Sequence, residues 1–261
     1  MKIKTIATIA TVSAGLITTS NAALINYSLP GNSDFDAWED LSVSNPQVAA
    51  VNDAAGGQGE PGAFPGFSNG GDPWPEAIES VLTQGTTATA DDATGDATFD
   101  KISDNGYPAG SSIYGMPFGT TGTFTVADST PVADLEQVIF QIEVGSGSAG
   151  WLNGDPTLTV NTGSGATTVS LFDFGTVSSV SDPDGDFGPV TVNTFAYQWD
   201  LSAISGTITD FNVDYTLDGT SAQIYRMQLD QGDSFTAQAV PEPSIALLGG
   251  LGLLTLLRRR R

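Results

Sequence analysis

From about Phe99 onward, apolar and polar residues alternate with a period of two. Val138, Phe140, Ile142 and Val144 share one face against Ile139, Gln141 and Glu143, and Phe195, Tyr197, Trp199 and Leu201 oppose Ala196, Gln198 and Asp200. The same rhythm sets Phe211, Val213, Tyr215 and Leu217 against Asn212, Asp214, Thr216 and Asp218. It also sets Tyr225, Met227 and Leu229 against Arg226, Gln228 and Asp230. Successive side chains of a strand point to opposite faces, so these segments predict half-buried β-strands. Turn clusters between them favour antiparallel neighbours. With no long amphipathic helix, the fold class is all-β: an antiparallel β-sandwich whose apolar faces meet, with jelly-roll the preferred topology. Leu24 to Leu29 is placed as a strand beside the last one, Ala222 to Asp230, bringing both ends of the body toward one edge.

Residues 31–95 depart from this rhythm. Gly56 to Gly62 and Asn69 to Pro73 are dense in turn residues, so the region is expected to be mostly loop packed on the sheet. One short helix is expected over Pro75 to Leu82, because proline suits a first helical turn. A low-complexity stretch, Thr86 to Thr98, leads into the β-rich part. No internal repeat is evident, which disfavours a solenoid or propeller.

Each end of the chain carries a second kind of apolar run. Lys2 and Lys4 precede Ile6 to Ile17, and Ser20-Asn21-Ala22 offers small residues before Ala23. This predicts a signal peptide over 1–22, forming a helix and cleaved between Ala22 and Ala23. At the other end, Val240-Pro241-Glu242-Pro243 is followed by Ile245 to Leu257 and then by Arg258, Arg259, Arg260 and Arg261. As a helix, 245–257 would span roughly 20 Å against a hydrocarbon core of about 30 Å, too short for a comfortable permanent anchor. The arginines would stay on the cytoplasmic side, leaving the body outside.

The order Pro-Glu-Pro, apolar helix and arginine cluster resembles the PEP-CTERM sorting domain of Gram-negative bacteria. The resemblance covers 240–261 and implies that Pro241, Glu242, Pro243 and Arg258 to Arg261 act as the sorting signal. It implies a membrane-embedded exosortase that removes the tail and passes the protein to the outer surface or the exopolysaccharide matrix. Signal peptidase and exosortase are then the processing partners, and the inner membrane is occupied only in transit. The body is 23–239.

Between Ala23 and Val240 lie 29 of the 30 acidic residues and only Lys101 and Arg226 as bases, a formal charge of −27. Such a field repels nucleic acid and anionic headgroups and favours cations. The chain has neither Cys nor His, which removes Cys-His and Ser-His-Asp catalysis, the usual zinc sites and disulfides. No cofactor is required by this composition, and calcium is the one candidate.

Asp182, Asp184 and Asp186 alternate through Asp182-Pro183-Asp184-Gly185-Asp186 and can converge on a hard cation, as in the first half of an EF-hand loop. Phe187 stands where that pattern wants glycine and Asn193 where it wants an acid, so a plain polar hairpin turn set by Pro and Gly is the preferred reading and calcium the alternative. A second acidic group, Asp34, Asp36, Glu39 and Asp40, surrounds Phe35 and Trp38. Paired carboxylates can hydrolyse glycosides, but nothing singles out one pair as acid and base. Trp74 and Trp151 sit in turn-rich surroundings and could stack on sugars, whereas Trp199 reads as core. Arg226 is expected to pair with a carboxylate of the adjacent strand. The leading expectation is an exported, exosortase-sorted, non-enzymatic surface or matrix protein associated with extracellular polysaccharide. The alternatives are a calcium-assisted carbohydrate-binding module and a carboxylate-based glycan hydrolase or lyase.

Overall fold

The computed structural model describes residues 24, 25, 27–54, 73, 74, 76–80, 96–103, 106–108, 110, 112–115, 122–146, 152–182, 190–217 and 222–239. Two antiparallel sheets make up almost all of it. The first holds β1 (Ser33–Trp38), β4 (Tyr107–Pro108), β5 (Ile113–Tyr114), β7 (Gln137–Ser146), β10 (Leu171–Asp182), β11 (Val190–Asp200) and β13 (Ala222–Gly232). Its order is β10-β11-β7-β13-β5-β4, with β1 pairing beside β5 on the same edge of β13. The second runs β2-β3-β6-β12-β8-β9. These strands are β2 (Ile78–Glu79), β3 (Thr98–Ser103), β6 (Gly122–Asp128), β8 (Thr157–Thr162), β9 (Gly165–Val169) and β12 (Ile208–Leu217).

The strand order β1-β13-β7-β11 facing β6-β12-β8-β9 is that of a jelly roll,. β10 extends the first sheet, and β3 with β2 extends the second. The expected residues form the core: Val138, Phe140, Ile142 and Val144 meet Phe211, Val213, Tyr215 and Leu217 across the sandwich. A column of rings joins the layers, with Phe99 to Phe124 at 5.6 Å, Phe124 to Tyr215 at 5.7 Å and Tyr215 to Phe140 at 5.5 Å.

Three expectations change. β7, β11 and β13 are not half-buried, because Ile139, Gln141, Glu143, Ala196, Gln198, Gln228 and Asp230 on the supposedly wet side are buried as well. The two ends of the body cover that side. Ile25, Tyr27 and Leu29 pack over Ile139, and Gln141 accepts from Ile25 N at 2.8 Å while donating to Ile25 O at 2.6 Å. Toward the C-terminus, Gln137 donates to Thr236 O at 2.9 Å and Gln198 does so at 3.1 Å. Second, the strand beside β13 is β1, residues 33–38, rather than 24–29, which lies across the sheet's outer face. Residues 25–29 and 235–238 nonetheless lie on the same sheet.

Third, Ile78 and Glu79, inside the expected helix, form a strand on β3, and Trp38 Nε1 donates to Ile78 O at 3.1 Å. Burying Ile78 against that ring outweighs helix signals. The helix in this region is α1 (Pro46–Ala54). There Asn45 Oδ1 caps the N–H of Gln47 at 3.0 Å, Pro46 takes the first turn, and Val48 and Val51 turn inward,.

Candidate metal centre

Strand alternation that builds the core also drives two carboxylates, Asp36 and Asp128, into one end of it. On β6 the inward row is Phe124, Val126 and Asp128. On β1 it is Asp34, Asp36 and Trp38, lying beside Gln231, Leu229 and Met227 of β13. Asp36 is 0 % exposed and Asp128 1 %. Asp96, exposed, stands two residues before β3. Asp36, Asp96 and Asp128 each offer an oxygen, and these oxygens lie within 4.8 Å of one another. The first sheet supplies Asp36 and the second supplies Asp128, so the cluster bridges the layers.

The surrounding bonds fix the carboxylates in place. Thr130 N donates to Asp128 Oδ1 at 2.7 Å, and the Thr130 hydroxyl donates to Asp96 Oδ2. Gln231 of β13 donates to Asp128 Oδ2 across the sandwich. Asp36 Oδ1 accepts from Ala97 N at 3.3 Å, whereas Asp36 Oδ2 is buried without a hydrogen-bond partner.

Burial pushes the Asp36 carboxyl up to about 6; the Ser80 hydroxyl and Ala97 N–H oppose this, and the charges of Asp128 and Asp96 add to it. Asp34 is also raised to about 6, first by burial and then by Asp36, Asp96 and Asp128. Asp128 is raised by burial against its bonds to Thr130 and Gln231, with Asp96 adding. Among the described residues, the charged groups acting on Asp34, Asp36 and Asp128 are other carboxylates. A set of oxygen donors with this charge suits a hard divalent cation.

Asp36 belongs to this cluster, with Asp34 two residues before it on the same face of β1; its partners Asp96 and Asp128 come from far along the chain, outside the Asp34-to-Asp40 group. The available signal was an acid ending the inward row of an alternating strand. Trp74 is core: it is 5 % exposed and sits edge-on to Phe99 at 5.3 Å and Phe124 at 5.9 Å, so no ring face is free for sugar. Asp182 ends β10 opposite Val190, which puts the Asp182-to-Asp186 motif at the β10–β11 connection. Asp184, Asp186 and Trp151 lie outside the described residues, as do Ala22, Ala23, the 245–257 helix, the Pro241-Glu242-Pro243 motif and the arginine cluster. Arg226 pairs with Glu143 of β7, its cross-strand neighbour, at 2.9 Å.

The described chain stops at Ala239, held to the first sheet through Thr236 and Gln238. From there on, residues 239–261 match the PEP-CTERM protein-sorting motif. The tail is a PEP-CTERM sorting motif. The PEP-CTERM motif indicates export across the membrane and sorting to the cell envelope or surface, and it implies processing by exosortase. No curated protein and no solved structure matches the chain. No helix of the described residues is long and apolar enough to cross a membrane.

Proposed function

We propose that this is an exported, exosortase-processed, non-enzymatic protein of the surface or exopolysaccharide matrix of a Gram-negative cell. The observation that carries the reading is the PEP-CTERM motif joined directly to an acidic jelly roll. Two structural features support it. Residues 25–29 and 235–238 are pinned to the first sheet, and cleavage after Ala22 and near Pro241 would leave these attachments in place. The absence of His and Cys leaves carboxylates as the main ionisable groups, and a body charge of −27 keeps such a protein dispersed in water and receptive to cations,.

Deleting exosortase in the source cells is the test. The mature form should vanish from the surface or matrix fraction, and a longer form retaining the arginine tail should accumulate in the inner membrane. Normal processing and location in the deletion strain would overturn the proposal.

A further inference from the structure

We propose that Asp36, Asp96 and Asp128 bind a calcium ion that clasps the two sheets together at one end of the sandwich. The site is separate from the Asp182-to-Asp186 motif and does not depend on how the tail is processed.

The geometry comes first. Two oxygens bound to one calcium at about 2.4 Å can stand up to about 5 Å apart, and the three carboxylate oxygens fall within 4.8 Å of each other. Donors on three separate segments, one before β3 and one each on β1 and β6, are thus close enough to converge on one centre.

The second observation is the state of Asp36. It is fully buried, Oδ1 accepts from Ala97 N, and Oδ2 makes no hydrogen bond of good geometry, although the Ser80 hydroxyl acts on the carboxyl. A buried, unpaired carboxylate oxygen is costly, and native structures supply a proton donor or a cation to such a group. Here the charged neighbours are Asp34, Asp96 and Asp128, all of the same sign. Protonation would relieve only part of this repulsion. A divalent cation offsets two charges on a carboxylate that is buried and only partly hydrogen-bonded.

The remaining bonds arrange the other two ligands. Thr130 reaches Asp128 with its N–H and Asp96 with its hydroxyl, fixing their mutual position, and Gln231 ties Asp128 to β13. Each bonded carboxylate oxygen keeps a further acceptor site. Asp96 is exposed, which leaves an entry path and room for water ligands. Calcium is the cation chosen, because it accepts six to eight oxygens in flexible geometry, whereas magnesium demands a tight octahedron.

The experiment uses the full 261-residue chain purified in mild detergent and stripped with chelator. Thermal unfolding is then followed in calcium chloride, magnesium chloride or sodium chloride at matched ionic strength. At free calcium about a hundred times the dissociation constant, the melting temperature should rise by about 5–10 °C. Asp96→Asn and Asp128→Asn should lose that rise, while Asp173→Asn on the opposite edge strand and Asp184→Ala should keep it. Because Asp96 is exposed, its variant should fold even if Asp128→Asn does not. Equilibrium dialysis of Asp96→Asn should show one fewer tightly held calcium per chain than wild type. No calcium-specific rise, an undiminished rise in Asp96→Asn, or an equal rise in magnesium would overturn the proposal.

Discussion

Replacing Arg226 by alanine should destabilise the sandwich far more than a typical surface change. Arg226 on β13 faces Glu143 on β7, with Nη2 at 2.9 Å from Oε2 and 3.2 Å from Oε1, and Nε at 3.3 Å from Oε1. The side chains are 21 % and 6 % exposed, so the pair is more interior than surface. Burial raises the Glu143 carboxyl, and the Arg226 charge and hydrogen bonds oppose that rise. Removing the guanidinium leaves the carboxylate buried and uncompensated, a change that costs about 3–5 kcal/mol in buried pairs. Glu143 can escape part of this by taking up a proton, which favours the lower end, about 3 kcal/mol. In a domain of this size that corresponds to about 6–12 °C in melting temperature.

Circular-dichroism melts of wild type, Arg226→Ala, Glu143→Gln and the double variant give the test, each at two pH values. The double variant should melt above Arg226→Ala, since no buried charge is left. In Arg226→Ala the folded-state carboxyl of Glu143, already raised by burial, rises further above its unfolded value. The extra proton is then held by the folded form, and stability is lost as pH rises through that raised value. The deficit of Arg226→Ala should therefore shrink on acidification. An unchanged melting temperature in Arg226→Ala, or a double variant no better than it, would refute the reasoning.

Burial raises the Asp230 carboxyl to about 7 against the opposing bonds from Gln228 and Gln141. Relative to an unfolded value of about 3.9, the folded state holds the extra proton between, so stability falls as pH rises across that window. Asp230→Asn should flatten this part of the melting temperature–pH curve, and parallel curves would contradict it. Trp74→Ala should cost about 3–5 kcal/mol by opening a cavity beside Phe99 and Phe124, read as a lower urea midpoint. A midpoint within error of wild type would return Trp74 to the surface. Asn45→Ala should remove the cap of α1 and cost about 1 kcal/mol, whereas Asn45→Asp should retain most of it in the same melts.

Much of the core was legible because a period of two needs no long-range information. Val138 to Val144 and Phe211 to Leu217 could be assigned to inward faces residue by residue, and the cross-strand charge pair of Arg226 followed from it. What covers the other face could not be read this way. Gln141 and Gln198 look like solvent positions in any local window, and only the return of residues 25 and 236 over the sheet buries them. Pro75 and Pro46 carry the same helix-start signal. Pro46 has Asn45 before it and Val48 and Val51 spaced to face inward, while Ile78 is taken by β3. The acidic cluster was half visible. Asp36 stood in a group marked by its neighbours in sequence, Glu39 and Asp40, but its spatial partners are Asp96 and Asp128. The alternation Phe124, Val126, Asp128 already placed an acid on a core row, and a charged residue in an apolar register is the signal to follow.

Export of this jelly roll and its release from the tail are read from the intact mass of the native protein in its source cells. The predicted result is a surface or matrix species lacking residues 1–22 and the tail from near Pro241. An inner-membrane species that keeps Arg258 to Arg261 would contradict it.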